Sequence, residues 1–114
     1  LGWPKRISSG IEPIDLTKQS SLNFFEVSKD KFPCFYLAKQ VGAEGESFPT
    51  AMNAANEIAV QAFLEEKIKF TDIFKIIFEV LEKHHKKKLS SVEDVYEVDK
   101  KSRENAIKQI KKIN

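Results

Sequence analysis

Apolar residues recur at three- and four-residue steps from Phe32 onward, whereas no such spacing lasts more than a turn in the first 30 positions. The densest stretch is Phe48–Phe70, FPTAMNAANEIAVQAFLEEKIKF. Ala51, Ala55, Ile58, Ala59, Ala62 and Phe63 share one helical face there, and Ala54, Val60 and Leu64 widen it. A helix apolar on most sides is a buried one, so the pattern predicts a central helix with the others packed around it. Its start is set either by Ser47, with Pro49 in the first turn, or by Asn53, and its end falls near Glu66. Asn53, Asn56 and Glu57 interrupt the apolar surface. An unpaired buried amide or carboxylate is costly, so these three are expected to cap the helix and to form a buried polar network that fixes packing.

The flanking segments read as further helices. Asp30 is the expected cap of the first, with Pro33 in its opening turn and Phe35, Ala38 and Val41 on one side. Gly42 and Gly45 end it, and 42–47 is a loop. Thr71 caps the next, with Asp72 in the first turn and a regular face of Ile73, Ile76, Ile77, Val80 and Leu81. That helix runs out in Lys83-His84-His85-Lys86-Lys87-Lys88, where cations suit the C-terminal dipole. Ser90 or Ser91 restarts a helix containing Val92, Val95, Tyr96 and Val98. Asp99 caps a last one over 100–113, with an apolar stripe of Ala106, Ile107, Ile110 and Ile113. In the first 30 residues, Leu22-Asn23-Phe24-Phe25-Glu26-Val27 is the one strand-like run. The expected fold is mainly α: an extended arm with one short strand over 1–30, then a bundle-like domain of four or five helices over 31–114.

Composition narrows the function classes. The 114 residues suffice for one domain with a modest core, and the net charge of +2 demands no polyanionic partner. Charge is uneven, with ten Lys/Arg against five Asp/Glu in residues 83–114. Cys34 is the only cysteine, so an intrachain disulfide is impossible and a reducing compartment fits. No apolar run approaches the roughly 20 residues that span a bilayer. No signal peptide is visible, and a first residue of Leu1 leads us to expect a fragment whose chemistry lies upstream.

Candidate chemistry is sparse. His84-His85 is the one pair resembling metal ligands, yet no carboxylate completes a set, and a solvated helix end is the expected reading. The C-terminal lysines interleave with acids and lack stacking aromatics beyond Tyr96, which fits a solvated face better than nucleic-acid or membrane binding. Glu44/Glu46, Glu65/Glu66 and Glu93/Asp94 are paired carboxylates on expected loops or exposed faces. Cys34 reads as a buried small hydrophobe. We therefore expect no catalytic, cofactor-binding or metal-binding residue in this chain.

One run of residues is more specific than any of these. Asn53-Ala54-Ala55-Asn56-Glu57-Ile58-Ala59-Val60, then Ala62-Phe63-Leu64 and Ile68-Lys69-Phe70-Thr71-Asp72-Ile73, resembles the C-terminal region of the 1-deoxy-D-xylulose 5-phosphate reductoisomerases. The resemblance reaches both ends. Trp3-Pro4-Lys5-Arg6 with Ser9-Gly10, Pro13-Ile14-Asp15 and Leu22-Asn23-Phe24 is similar to that family's linker. Phe32-Pro33-Cys34 with Leu37-Ala38 resembles its first C-terminal helix, and Ser91-Val92-Glu93-Asp94-Val95, Asp99 and Arg103 fit its closing helices. Ser28-Lys29-Asp30 stands where the family commonly has a proline before the aspartate, a difference of loop shape.

The resemblance implies part of an enzyme that rearranges 1-deoxy-D-xylulose 5-phosphate and reduces the product with NADPH, assisted by Mg²⁺ or Mn²⁺, to 2-C-methyl-D-erythritol 4-phosphate. That is a step of non-mevalonate isoprenoid biosynthesis. It implies that the NADPH, metal and substrate ligands lie upstream, that this piece binds none of them, and that its partners are the central and NADPH domains of the same polypeptide in a homodimer. It also implies a bracing role for the helical domain. The competing readings are a stand-alone helical interaction module docking through its apolar arm, and a nucleic-acid-binding domain using the basic tail.

Overall fold

The computed structural model describes residues 2–19 and 21–113. Four helices follow one another: α1 Pro33–Glu44, α2 Phe48–Leu64, α3 Phe70–Glu82 and α4 Val92–Ile113. Helix α2 packs against each of the other three. Its buried residues are all alanines, Ala51, Ala54, Ala55, Ala59 and Ala62. Small side chains let neighbours approach closely, and the volume is filled from across the interface by Ile73, Ile76, Ile77, Val80 and Leu81 of α3. The larger apolar residues of α2 stand at the rim: Ile58, Val60 and Phe63 are half-buried and Leu64 is 68% exposed.

The first helix opens at Pro33, whose missing N–H costs nothing there. Phe32, not Asp30, occupies the capping position, and no side chain caps it. Gly42 does not stop α1; the helix runs to Glu44 and stops at Gly45, whose φ of +64° suits glycine. The turn after α2 is a Schellman arrangement. Lys67 N–H donates to the Ala62 carbonyl at 2.9 Å and Glu66 N–H to the Phe63 carbonyl at 2.9 Å. Glu66 sits at φ +58°, a position that glycine occupies more cheaply.

Thr71 does not cap α3. The helix begins one residue earlier, and Asp72 accepts the Lys69 N–H at 3.1 Å. This is one half of a capping box, because a lysine side chain has no acceptor to return the bond. The helices expected on either side of Asp99 are one continuous α4. Ser91 and Asp94 supply its cap: Asp94 Oδ2 accepts from the Ser90 and Ser91 amides, and Ser91 Oγ accepts from the Asp94 amide at 3.2 Å. Asp99 is then free to bond Arg103 one turn on, rather than to start a helix. Continuity also changes the buried stripe. Val98, Ser102 and Ala106 face the core, while Ile107 and Ile113 are exposed.

The arm is unlike the helical unit. Apart from one 3-10 turn, Leu16–Lys18, capped by Asp15, it has no helix among the described residues. Among the described residues it has no strand either. Among the described residues no second strand pairs with the run 22–27, and a single strand has no ladder to join. Trp3 is 93% exposed, and Ile11, Ile14, Leu16, Phe24 and Phe25 are also exposed. The arm is tied down at its end, where Tyr36 Oη–H donates to the Val27 carbonyl at 2.7 Å and Phe32 N–H to the Ser28 carbonyl at 3.0 Å. The Cα radius of gyration, 18.8 Å, exceeds the roughly 13 Å of a compact chain this long, and the arm supplies the difference.

Candidate functional site

Two polar joints hold the helices together. The first lies on the α2–α4 seam. Asn53 Nδ2–H donates to Glu57 Oε1 at 3.0 Å. Arg103 Nη2–H donates to Glu57 Oε2 at 2.6 Å, while its Nε–H donates to Asp99 Oδ2 at 2.7 Å. The Arg103 hydrogen bond, with that of Asn53, holds the Glu57 carboxyl below the usual range. Bonding to Asp99 and then Glu57 raises Arg103 further above its already high value. The network expected around Asn53, Asn56 and Glu57 thus exists in part, but it is not buried. All three residues are exposed, because 53, 56 and 57 lie off the alanine face of α2. Arg103 is offered by the sequence only as part of the family resemblance in the closing helices. Its bond to Glu57 spans 46 positions, and periodicity carries no signal for it.

The second joint is buried at its Ser47 end. Ser47 precedes α2 and is 0% exposed, yet its side chain does not cap that helix. Its Oγ lies 2.8 Å from His84 Nε2 and accepts the Lys87 N–H at 2.8 Å. The His84 ring meets Phe48 edge to face, centroids 5.1 Å apart. The expectation of a solvated helix end is therefore wrong for His84. Helix α3 stops at Glu82, and the chain turns so that His84 reaches the start of α2, while His85 stays exposed. Burial, with Lys101 and His85 adding to it, pushes the His84 pKa down. Ser47 beside a histidine has the elements of a nucleophile and base. Among the described residues no carboxylate is hydrogen-bonded to His84, and a wholly buried hydroxyl meets no substrate.

The remaining candidates are dispersed. Lys87 Nζ bonds Asp94 at 2.9 Å and Glu97 at 2.6 Å, fastening the connection to α4. Asp94 is held at about 2 by Lys87, with help from the Ser90 and Ser91 amides. Glu65 pairs with Lys67, and Lys86 lies 4.0 Å from Glu46. Cys34 is half-buried against the core, and burial pushes its thiol pKa up, away from the reactive thiolate. Among the described residues, no three His, Cys, Asp or Glu side chains gather as metal ligands. Among the described residues no glycine-rich turn follows a strand. No described helix is long and apolar enough to cross a membrane. Three surface grooves are open and mainly apolar. One of about 450 Å³ runs between α2 and α4, and two of about 310 Å³ flank α3 and share Phe74 and Phe78.

Comparison with known proteins bears on the whole chain. Residues 1–105 match the family model described as DXP reductoisomerase C-terminal domain. The 1-deoxy-D-xylulose 5-phosphate reductoisomerase of Geotalea daltonii is 49% identical over 104 residues, which are 91% of this chain and 27% of that protein. That of Shewanella sediminis is 45% identical over 113 residues, 99% of this chain and 29% of that protein. Among solved structures, the Zymomonas mobilis reductoisomerase in complex with NADPH superposes with a TM-score of 0.85 at 40% identity, over 95% of this chain and 29% of that one. A DOX-P reductoisomerase in complex with NADPH, fosmidomycin and magnesium gives 0.78 at 38% identity, over 96% and 29%. The chain thus spans between a quarter and a third of the relatives it matches, and in them this region is part of a larger enzyme rather than a stand-alone module.

Proposed function

The chain belongs to the DXP reductoisomerase C-terminal domain family, and on that premise we propose that it is the bracing domain of a 1-deoxy-D-xylulose 5-phosphate reductoisomerase. In this reading, residues 1–30 are the arm from a central domain and 31–114 form the helical domain. The whole enzyme rearranges 1-deoxy-D-xylulose 5-phosphate and reduces the product with NADPH, aided by Mg²⁺ or Mn²⁺. It acts in the cytoplasm as a homodimer and requires neither nucleic acid nor membrane. The catalytic, metal and NADPH residues belong to the upstream domains, and this chain supplies none of them.

The observation that supports the role is the contrast between a finished helical core and an arm of bare apolar side chains. Such a patch calls for a covering surface, and the rest of the same polypeptide is the nearest one. Covering the arm anchors the helical domain, and a rigid support keeps substrate-binding groups in position. The test is made in the whole enzyme. Replacing Phe24 and Phe25 together by Asp should lower both kcat/KM and the melting temperature. Unaltered kinetics and melting would overturn the bracing role. Separately, the 114-residue chain should neither bind NADPH nor consume it with substrate and metal, and either event would overturn the assignment of the chemistry upstream.

A further inference from the structure

The buried joint between Ser47 and His84 has a property that goes beyond bracing. A serine hydroxyl has one hydrogen to give and two lone pairs. Oγ already accepts the Lys87 N–H, and Ser47 has no exposed surface. Its hydrogen is best used on an unprotonated His84 Nε2, 2.8 Å away. A proton on Nε2 turns that acceptor into a donor. Oγ would then face two donors, and its own hydrogen would have no acceptor in a sealed site, which is the costly case for a buried polar group.

We propose that Ser47 and His84 form a pH-sensitive latch, closed when His84 is neutral, that fastens the α3–α4 connection to the start of α2. Opening frees the Lys87 N–H, and with it the connection 83–91 that carries the ion pairs of Lys87 into α4. The charged groups around His84 decide how readily it opens. Glu44 of α1 and Glu82 of α3 line the groove on one side and favour the imidazolium. Lys83, His85 and Lys87 of the connection and Lys101 of α4 line the other side and oppose it. Glu79 takes up Lys83, and Asp94 with Glu97 takes up Lys87, so Lys101 is the principal opposing charge. Helix α2 contributes the apolar ring of Phe48. Burial and Lys101 prevail, and the His84 pKa lies below the ordinary 6.5. A histidine depressed in this way supports the fold fully above 6.5, and the support is lost as pH falls through the folded-state value.

Hydrogen exchange followed by mass spectrometry reads the latch in the whole enzyme as well as in this chain. After correction for the intrinsic pH dependence of exchange, amides of the 83–91 connection should lose protection by up to roughly tenfold per pH unit as pH falls from 6.5 toward the depressed His84 value, and the loss should level off below it. His84→Gln keeps an acceptor near the Nε2 position and cannot titrate, so its connection should stay protected across the same range. Ser47→Ala should leave the connection unprotected at every pH. Protection that is independent of pH in the unmodified protein, or an unchanged loss in His84→Gln, would overturn the latch. Should His84→Gln fail to fold, ¹⁵N NMR of the unmodified protein decides. The neutral ring should carry its proton on Nδ1 and titrate below the ordinary range; a proton on Nε2 would overturn the proposal. Neither measurement depends on catalysis, so failure here leaves the bracing role standing, and failure of bracing leaves the latch.

Discussion

Ile77 and Trp3 are both large apolar side chains, yet one is 0% exposed and the other 93%. The difference lies in what the chain supplies around them. Ile77 sits on a helix whose neighbour, α2, offers a smooth wall of alanines. Trp3 sits on an arm that, among the described residues, makes no α-helix and finds no strand to pair with. Hydrophobicity alone does not bury a residue; a periodic backbone that lines up partners does. Residues 33–113 carry their own core, while the arm has the composition of an interior without an interior to enter.

Mutation can break this contrast. The largest effect should come from Ile77→Ala, which removes a fully buried side chain and costs about 3 kcal/mol in the unfolding of this chain. Phe24→Ala in the same experiment should change stability by less than about 0.5 kcal/mol, since the ring touches little here. A Phe24→Ala loss comparable to that of Ile77→Ala would mean that the arm packs on the helices. Next in size is Ala55→Leu, which forces a branched side chain into the α2 wall and should cost roughly 1–3 kcal/mol by chemical denaturation. Ser91→Ala deletes a cap of α4 and should cost about 1 kcal/mol. The acid limb should be gentler. The Asp94 carboxyl is depressed from 3.8 to about 2, so its contribution is complete above 3.8 and lost as pH falls through about 2. Asp94→Asn should flatten that part of a stability–pH curve. The smallest change has the opposite sign: Glu66→Gly relieves the positive φ of the α2–α3 turn and should raise stability by about 0.5 kcal/mol.

The helices were legible because their signal is local. The alanine face of α2 and the isoleucine face of α3 follow the 3.6-residue period, and the family resemblance rested on the same stretch. Caps were legible where the side chain bonds its own turn, as at Ser91, and misread where a residue had a better partner elsewhere. Ser47 was a fair candidate to cap α2, but it spends its hydroxyl on a histidine 37 positions away. Asp99 spends its carboxylate on Arg103, so the apparent break in α4 does not exist. The strand over 22–27 was read from side-chain type, and pairing, which makes a strand, is not written in one segment. Asn53, Asn56 and Glu57 were expected inside because α2 is so apolar, whereas their positions fall on its outer edge.

The alanine wall of α2 has one further consequence. Alanine loses no rotamer freedom on packing, so the fully buried face of this helix orders without a side-chain entropy penalty. The same smoothness gives it few knobs to stop it sliding along its axis. Axial register must then come from polar pins at fixed heights: Ser47 against His84 at the first turn, and Glu57 against Arg103 midway. Loosening either pin would leave the core apolar and closed, yet let the central rod shift against its neighbours.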